Sequence, residues 1–478
     1  MQYVYHVPEP YVIYSAHSQR AQPMPFPRLA CALARATRSL EHALGKNAGN
    51  FPGVVATRID RDVLAWQAQK IRKGAVVISA TNGKTTTTNL AADCLETAGA
   101  SVFCNREGSN LETGIVTALL NPDKRDFACL ECDEMYARFV LPKLRPRAFV
   151  LLNLFEGDQI YRFGSMERIY ASIAQALESS PETIFIYNAD DPHCQAIAER
   201  VPNPKATFGM AGGHVSASSD TERAQACPAC GEPLAYTARR YDQIGRYSCP
   251  ACSLSAPEPD LVVRVLEGTE DGYTVRIERG ENSSWLPGCK LALDRVEVPC
   301  TGEYMLYNIA ALRMATTLLG CPDEAFTRAI AAYDPRNGRL QRYAIEGRSV
   351  LSNLAKNPVG FNQNIQMALK YAKPQAVGFY MDDMVECNGD YSWVDDIDFG
   401  ALRPLADAGC PVFYGGEIAA PLERALATAG IPARRADTAR ETLDLLAQDD
   451  PEHTRRLFVI GNYHALERLH AELEGLEL

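Results

Sequence analysis

The stretch Ala80-Thr81-Asn82-Gly83-Lys84-Thr85-Thr86 decides the fold. Ahead of it runs an apolar segment, Ala75-Val76-Val77-Ile78, and behind it a helical pattern covers residues 85–98. Strand, Gly-Lys turn and helix in that order make a phosphate cradle. Successive backbone N–H groups and the positive end of the helix face one point. Gly83 has no Cβ and lets a ligand approach the backbone. Lys84 is placed to reach the β and γ phosphates, and the Thr85 hydroxyl to bind Mg²⁺. The first glycine of the full phosphate-loop pattern is missing, so the strand–turn–helix context carries the reading. A plain helix start would leave Thr81-Asn82-Gly83 and the threonine run unexplained.

Outward from this loop the chain alternates. Residues 102–103, 127–132, 149–152 and 183–187 read as strands, and 111–120, 169–178 and 192–200 as helices, which predicts a parallel α/β sheet. Upstream, a helical pattern over 29–44 is broken by Gly45, Gly49, Pro52 and Gly53. Downstream, residues 212–259 are polar and rich in Gly and Ser. Strands over 261–265, 272–277 and 289–298 and a helix over 304–319 follow. After a Pro/Asn/Gly linker at 334–338, alternation resumes. Strands at 376–381, 412–414 and 457–460, with helices at 419–429 and 440–448, predict a second, smaller α/β domain.

The chain has 478 residues, which at roughly 150 per domain suggests about three. The expected division is an N-terminal extension and helix at 1–45, a central nucleotide-binding domain at 46–335, and a C-terminal α/β domain at 336–478. Composition is that of an ordinary globular protein, with 46% apolar and 22% charged residues. Acidic residues exceed basic ones by 59 to 48, so a general nucleic-acid binder is excluded. A small anionic substrate remains compatible, because a local basic site can sit on an acidic protein. No apolar run reaches the ~18 residues a membrane helix needs. Residues 1–27 are rich in Tyr and Pro and lack the pattern of a signal peptide. The expected location is cytoplasmic.

Of the 15 cysteines, four are regularly spaced: Cys227-Pro-Ala-Cys230 and Cys249-Pro-Ala-Cys252. Two such knuckles in an insert at 220–258 predict a closed, structural Zn²⁺ ribbon. Such an insert has little core, and metal binding supplies the missing folding energy. Cys129-Leu-Glu-Cys132 is a decoy. Residues i and i+3 of a strand point to opposite faces, so this pair is expected to pack. The eight histidines form no metal-binding pair, and His193 reads as a helix-start residue. No cysteine has the context of a catalytic nucleophile, so this chain is not expected to hydrolyse glutamine by itself.

Taken together, the loop and several later segments resemble the Mur ligase superfamily, ATP-dependent enzymes that join a carboxylate to an amine through an acyl phosphate. Glu131-Cys132-Asp133-Glu134 resembles its E-x-D-E segment. Asn153-Leu154-Phe155 with Asp158-Gln159 resembles N-L-F-x-D-Q, and Asn188-Ala189-Asp190-Asp191-Pro192 resembles N-x-D-D-P. Gly302 with Asn308, and Gly338-Arg339 with Arg342, match two further segments. Within the superfamily the chain resembles the MurT family of synthetase subunits. Three features carry this: the four-cysteine insert, Ala355-Lys356-Asn357-Pro358-Val359-Gly360-Phe361-Asn362, and Asn388-Gly389-Asp390-Tyr391-Ser392-Trp393 with Asp396-Ile397-Asp398-Phe399. One departure is a residue inserted between Asn153 and Gly164, with Tyr161 where the family has an Asp. Another is Gln341 in place of a Glu.

The resemblance implies a fold and a set of roles. The fold is a Mur-ligase-type α/β protein: a central phosphate-loop ATPase domain with an inserted four-cysteine zinc ribbon, and a smaller C-terminal domain. ATP falls to Thr81, Asn82, Gly83, Lys84, Thr85, Thr86, Asn308 and Arg339, and Mg²⁺ to Thr85, Glu131 and Asp158. Zn²⁺ falls to Cys227, Cys230, Cys249 and Cys252. Asp390 would complete a Cys-His-Asp triad with a partner, a GatD-type class I glutamine amidotransferase subunit that supplies ammonia. The implied reaction amidates the D-glutamate α-carboxylate of lipid II to D-isoglutamine in peptidoglycan synthesis. That places the chain in the cytoplasm, peripheral to the inner membrane face. Two other readings are a stand-alone amino-acid ligase of the muramyl or folylpolyglutamate type and a nucleotide-binding scaffold with impaired catalysis.

Overall fold

The computed structural model describes residues 26–45, 48–212, 224–269, 271–286, 288–300, 302–334, 340–370, 375–383 and 389–477, with the backbone alone at 157, 158, 161 and 162. Two sheets organise it. The first contains β1 (Ile71–Ser79), β2 (Val102–Cys104), β3 (Arg125–Glu131), β4 (Ala148–Leu151), β5 (Ile184–Asn188) and β6 (Lys205–Met210). In chain order, β6 is followed by a separate two-stranded hairpin, β7 (Ala235–Tyr241) and β8 (Ile244–Ser248), before the chain returns to the sheet. β9 (Leu261–Gly268), β10 (Tyr273–Arg279) and β11 (Leu293–Val298) complete nine strands in the order β11-β10-β9-β6-β5-β4-β1-β3-β2.

The strands from β6 to β2 are parallel, and β1 lies between β4 and β3. Side-chain alternation splits β1 between two cores. Val76 and Ile78 pack on one face of the sheet, and Ala75 and Val77 on the other. Burial on both faces explains the unbroken apolar run. Because the chain leaves β1 toward β2 on one side and β4 lies on the other, the C-terminal end of β1 is a switch point. Open α/β sheets bind ligands in the crevice at such a point. Cys129 packs on one face and Cys132 on the other, as period two requires.

The helix Pro27–Ala43 buries Ala30, Cys31 and Ala34 in the same core as Val77. Pro52 and Gly53, read from sequence as breakers, instead begin a second helix, Phe51–Ile59. Proline is tolerated in a first turn, where its missing N–H has no partner anyway. Gly53 is needed for contact: a Cβ there would lie 1.8 Å from the Thr113 carbonyl oxygen. The strand expected over 289–298 is shorter, Leu293–Val298.

The second sheet holds β12 (Gln341–Ile345), β13 (Arg348–Leu354), β14 (Gln375–Tyr380), β15 (Val412–Gly415), the two-residue β16 (Arg434–Arg435) and β17 (Arg456–Gly461). Its order is β12-β13-β17-β14-β15-β16, with only the β12–β13 hairpin antiparallel. Tyr304 and Leu340 pack against the cores of both sheets, and Val359 reaches the core of the first. No helix among the described residues is long and apolar enough to cross a membrane.

Candidate active site

The turn after β1 is built as its sequence demands. Gly83 has φ +92, and a Cβ there would stand 2.7 Å from Asn308 Oδ1. Both facts restrict the position to glycine. The helix Lys84–Thr97 starts immediately after it. Residues at the end of β4 brace the turn. The Asn82 N–H donates to Asn153 Oδ1 at 2.9 Å, and Asn153 Nδ2 donates back to the Asn82 carbonyl at 2.9 Å. The Thr81 N–H donates to the Asn153 carbonyl at 3.0 Å, and the Phe155 N–H to Thr81 Oγ1 at 3.0 Å.

Lys84 is buried. Its Nζ donates to the Ala80 carbonyl and lies 3.3 Å from Glu134 Oε1. Gln159 Nε2 donates to the same carboxylate oxygen at 3.3 Å. Burial pushes the Glu134 carboxyl up, and the Lys84 ammonium opposes that shift. Glu131 ends β3, its backbone clamped by Asn105 in both directions: Glu131 N–H to Oδ1 at 2.8 Å and Nδ2 to the Glu131 carbonyl at 2.9 Å. A Cβ on Gly108 would sit 3.4 Å from Thr85 Oγ1 and 3.8 Å from Glu131 Oε2. Both oxygens thus lie near Gly108 and both residues line the cleft, and hard oxygen donors of this kind could hold Mg²⁺.

The second sheet supplies the opposite wall. Asn82 and Asn357 form a reciprocal amide pair: Nδ2 of Asn82 to Oδ1 of Asn357 at 3.3 Å, and the reverse bond at 3.2 Å. Asn357 Oδ1 also accepts from the Gly360 N–H at 2.9 Å, fixing its rotamer at the start of the helix Pro358–Lys370. The cleft between the two halves is open to solvent. Thr81, Asn82, Gly83, Lys84, Thr85, Thr86, Glu131 and Asn308 line it, joined by Asn153, Lys356 and Tyr241.

At the other end of the β7–β8 hairpin the four knuckle cysteines converge. Cys227 and Cys252 sulfurs are 3.7 Å apart, Cys230 and Cys249 sulfurs 3.5 Å, and all four lie within 4.8 Å of one another. These separations are too long for disulfides. They match a tetrahedral site, where four metal–sulfur bonds of ~2.3 Å place sulfurs ~3.8 Å apart. The cluster could hold a metal ion.

Two family models match the chain. The Mur ligase middle domain covers residues 78–229, and the MurT ligase C-terminal domain covers residues 354–466. A lipid II isoglutaminyl synthase (glutamine-hydrolyzing) subunit MurT of Staphylococcus aureus is 29% identical over 376 residues, 78% of this chain and 82% of that protein. The MurT subunit of Streptococcus pneumoniae is 26% identical over 425 residues, 87% and 90% of the two. The chain belongs to the MurT family of Mur ligases. Its fold is shared with MurF from Acinetobacter baumannii (TM-score 0.64, 16% identity, 89% of this chain and 81% of that one). A pseudomurein peptide ligase from Methanothermus fervidus is similar too (TM-score 0.63, 15% identity, 85% and 79%).

On this Mur ligase frame most of the residues singled out from sequence meet at one cleft. Asn308, expected to contact ATP, stands against Gly83 in the turn after β1. Asp158 lies in the helix Glu156–Phe163, outside the residues whose side chains are described, and Arg339 falls outside the described residues. Asp390 is exposed, accepts from the Ser392 N–H at 3.0 Å, and is not part of the cleft. The adjacent Trp393 is a core residue, its ring 6.0 Å from that of Phe361. Sequence reasoning missed Asn357, Lys356, Glu134 and Tyr241 as site residues. The MurT-like segment at 355–362 held the signal for the first two.

Proposed function

We propose that this MurT-family chain is the synthetase subunit of a lipid II isoglutaminyl synthase. It uses ATP to amidate the D-glutamate α-carboxylate of lipid II, with ammonia from a GatD-type glutaminase subunit. The observation that carries this reading is the Asn82–Asn357 pair, which joins the middle-domain match to the MurT C-terminal match at one cleft.

A carboxylate oxygen of the substrate attacks the γ-phosphorus, ADP leaves, and an acyl phosphate forms. Ammonia then adds to the carbonyl carbon, phosphate leaves with the C–O bond electrons, and a proton is lost from nitrogen. Mg²⁺, when bound, neutralises phosphate charge and polarises the transferred group. The residues suited to hold it are Thr85 and Glu131, with Asp158 as the third of the expected set. Loop N–H groups of 81–86 and the Lys84 ammonium hold the phosphates. Asn308 keeps Gly83 in place, and Arg339 is the further residue that the family resemblance assigns to ATP. Closure of residues 336–478 against 46–335 excludes water from the acyl phosphate.

The four-cysteine cluster is proposed to hold a structural Zn²⁺, for which its sulfur separations and closed shell are suited. Asp390 is proposed to orient the partner's catalytic His and stabilise its imidazolium. Its exposure supports this role, since a triad shared between subunits needs a surface acid. A peripheral place at the membrane fits a lipid-linked substrate. It is supported by the helix Pro27–Ala43, which leaves Leu29, Leu33 and Leu40 about half exposed.

The test is mass spectrometry of lipid II incubated with ATP, the chain and its co-expressed glutaminase. Replacing a carboxylate by an amide lowers the mass by about 1 Da, since –OH becomes –NH₂. Asp390→Ala is expected to abolish the change with glutamine and keep it with ammonium. Addition of an amino acid in place of ammonia would overturn the proposal.

A further inference from the structure

The β7–β8 hairpin carries the thiol cluster at one end, and its other end is built into the nucleotide cleft. Tyr241 and Ile244, flanking the turn, are buried in the core of the large sheet, although the insert reads from sequence as polar and with little core of its own. Tyr241 lines the cleft. Its ring lies 6.3 Å from that of Phe155 and meets Tyr307 edge-on at 6.1 Å. Between them at the turn, Gln243 is buried, and its Nε2 donates to the Leu154 carbonyl at 2.7 Å.

Leu154 is therefore gripped from both sides, because its N–H donates to Asp191 Oδ2 at 2.9 Å. Its two neighbours, Asn153 and Phe155, are the residues that brace Thr81 and Asn82. The turn is itself anchored. The Gly245 N–H donates to the Asp190 carbonyl at 2.8 Å, Arg246 lies 3.5 Å from Asp190 Oδ1, and the Tyr236 hydroxyl donates to the Gln243 carbonyl at 2.9 Å. A path of single contacts thus runs from the hairpin turn through residues 153–155 to the phosphate loop.

We propose that the ribbon hairpin is a working part of the nucleotide site, in which Gln243 and Tyr241 are positioning residues that set residues 153–155 and, through them, the phosphate loop. The inference rests on the cleft being the ATP site. The Gln243 amide is the one side-chain donor described on the Leu154 carbonyl, and this bond is buried. Removing it strands a carbonyl beside the loop rather than on a distant surface.

Calorimetric titration with Mg·ADP on the full chain, in its complex with the partner, tests this. Gln243→Leu keeps the apolar stem and removes the donor. A lost buried hydrogen bond of this kind corresponds to about a tenfold change in an equilibrium constant. The expected result is an ADP Kd and an ATP KM each raised about tenfold, with the KM for ammonium unmoved. Tyr236→Phe, which frees the Gln243 backbone, is expected to shift the ADP Kd in the same direction by a smaller factor. It carries the test if Gln243→Leu does not fold. A lowered melting temperature with an unchanged ADP Kd in these variants would overturn the positioning role and leave the ligase reading intact. A wild-type complex that binds no ADP would overturn both.

Discussion

Gly83 meets the demands of the turn after β1 at a single residue. Its left-handed backbone and the 2.7 Å approach of Asn308 Oδ1 to a would-be Cβ both disfavour any other side chain. An L-residue in that region costs roughly 1–2 kcal/mol before any clash. Gly83→Ala is therefore expected to lower thermal stability and to abolish ADP binding in the same titration. Retained binding would show that the turn does not cradle phosphate. His193 is a second case. It starts the helix Pro192–Ala198, its N–H donates to Asp191, its Nδ1 meets the Tyr170 hydroxyl, and burial lowers its pKa to about 4. In the unfolded chain it titrates near the ordinary value of ~6.5. Between these two pH values the unfolded state binds more protons, so stability is lost as pH falls from ~6.5 toward 4, by up to about 3 kcal/mol. Denaturant unfolding of His193→Gln is expected to show a shallower loss across that window. An identical slope would mean that His193 titrates in the fold as it does in the unfolded chain.

The hairpin insert is the most informative element. Its polar, Gly- and Ser-rich composition breaks the α/β alternation, and the two knuckles predict metal. Both readings were local, and neither could show that the far turn enters the main core. That turn is buried because Tyr241 and Ile244, which flank it, pack into the main core. The ribbon's own cluster is small, with Leu234, Tyr247 and Leu254 packed around two of the cysteines and against Ala196. Metal analysis of the purified protein is expected to find about one Zn²⁺ per chain, bound by the four thiolates. Cys249→Ser should lose it and lower the melting temperature; full retention of metal would place the zinc elsewhere. The strands were legible where burial on both faces of the sheet leaves continuous apolar runs. The helix Phe51–Ile59 was not, because Pro52 and Gly53 read as breakers when one fits a first turn and the other a close contact with Thr113.

At the scale of the whole molecule, the candidate site lies between two sheets that sequence could list but not bring together. Lys84, Thr85 and Glu131 were legible because a phosphate loop and a strand-end acid are local patterns. Asn357 was not, since its partner Asn82 is 275 residues away and no periodicity reports on domain closure. The pair predicts that Asn357→Ala slows amidation with ammonium as strongly as with glutamine, by roughly tenfold or more for a lost orienting bond. Assembly with the partner should be intact by gel filtration. A defect confined to glutamine would move Asn357 from the cleft to the subunit interface. The central claim is that this cleft makes an acyl phosphate from the substrate's carboxylate. It is tested most directly by labelling that carboxylate with ¹⁸O and measuring the phosphate released during amidation with ammonium. The account predicts one ¹⁸O atom in each phosphate. Phosphate released without label would contradict it.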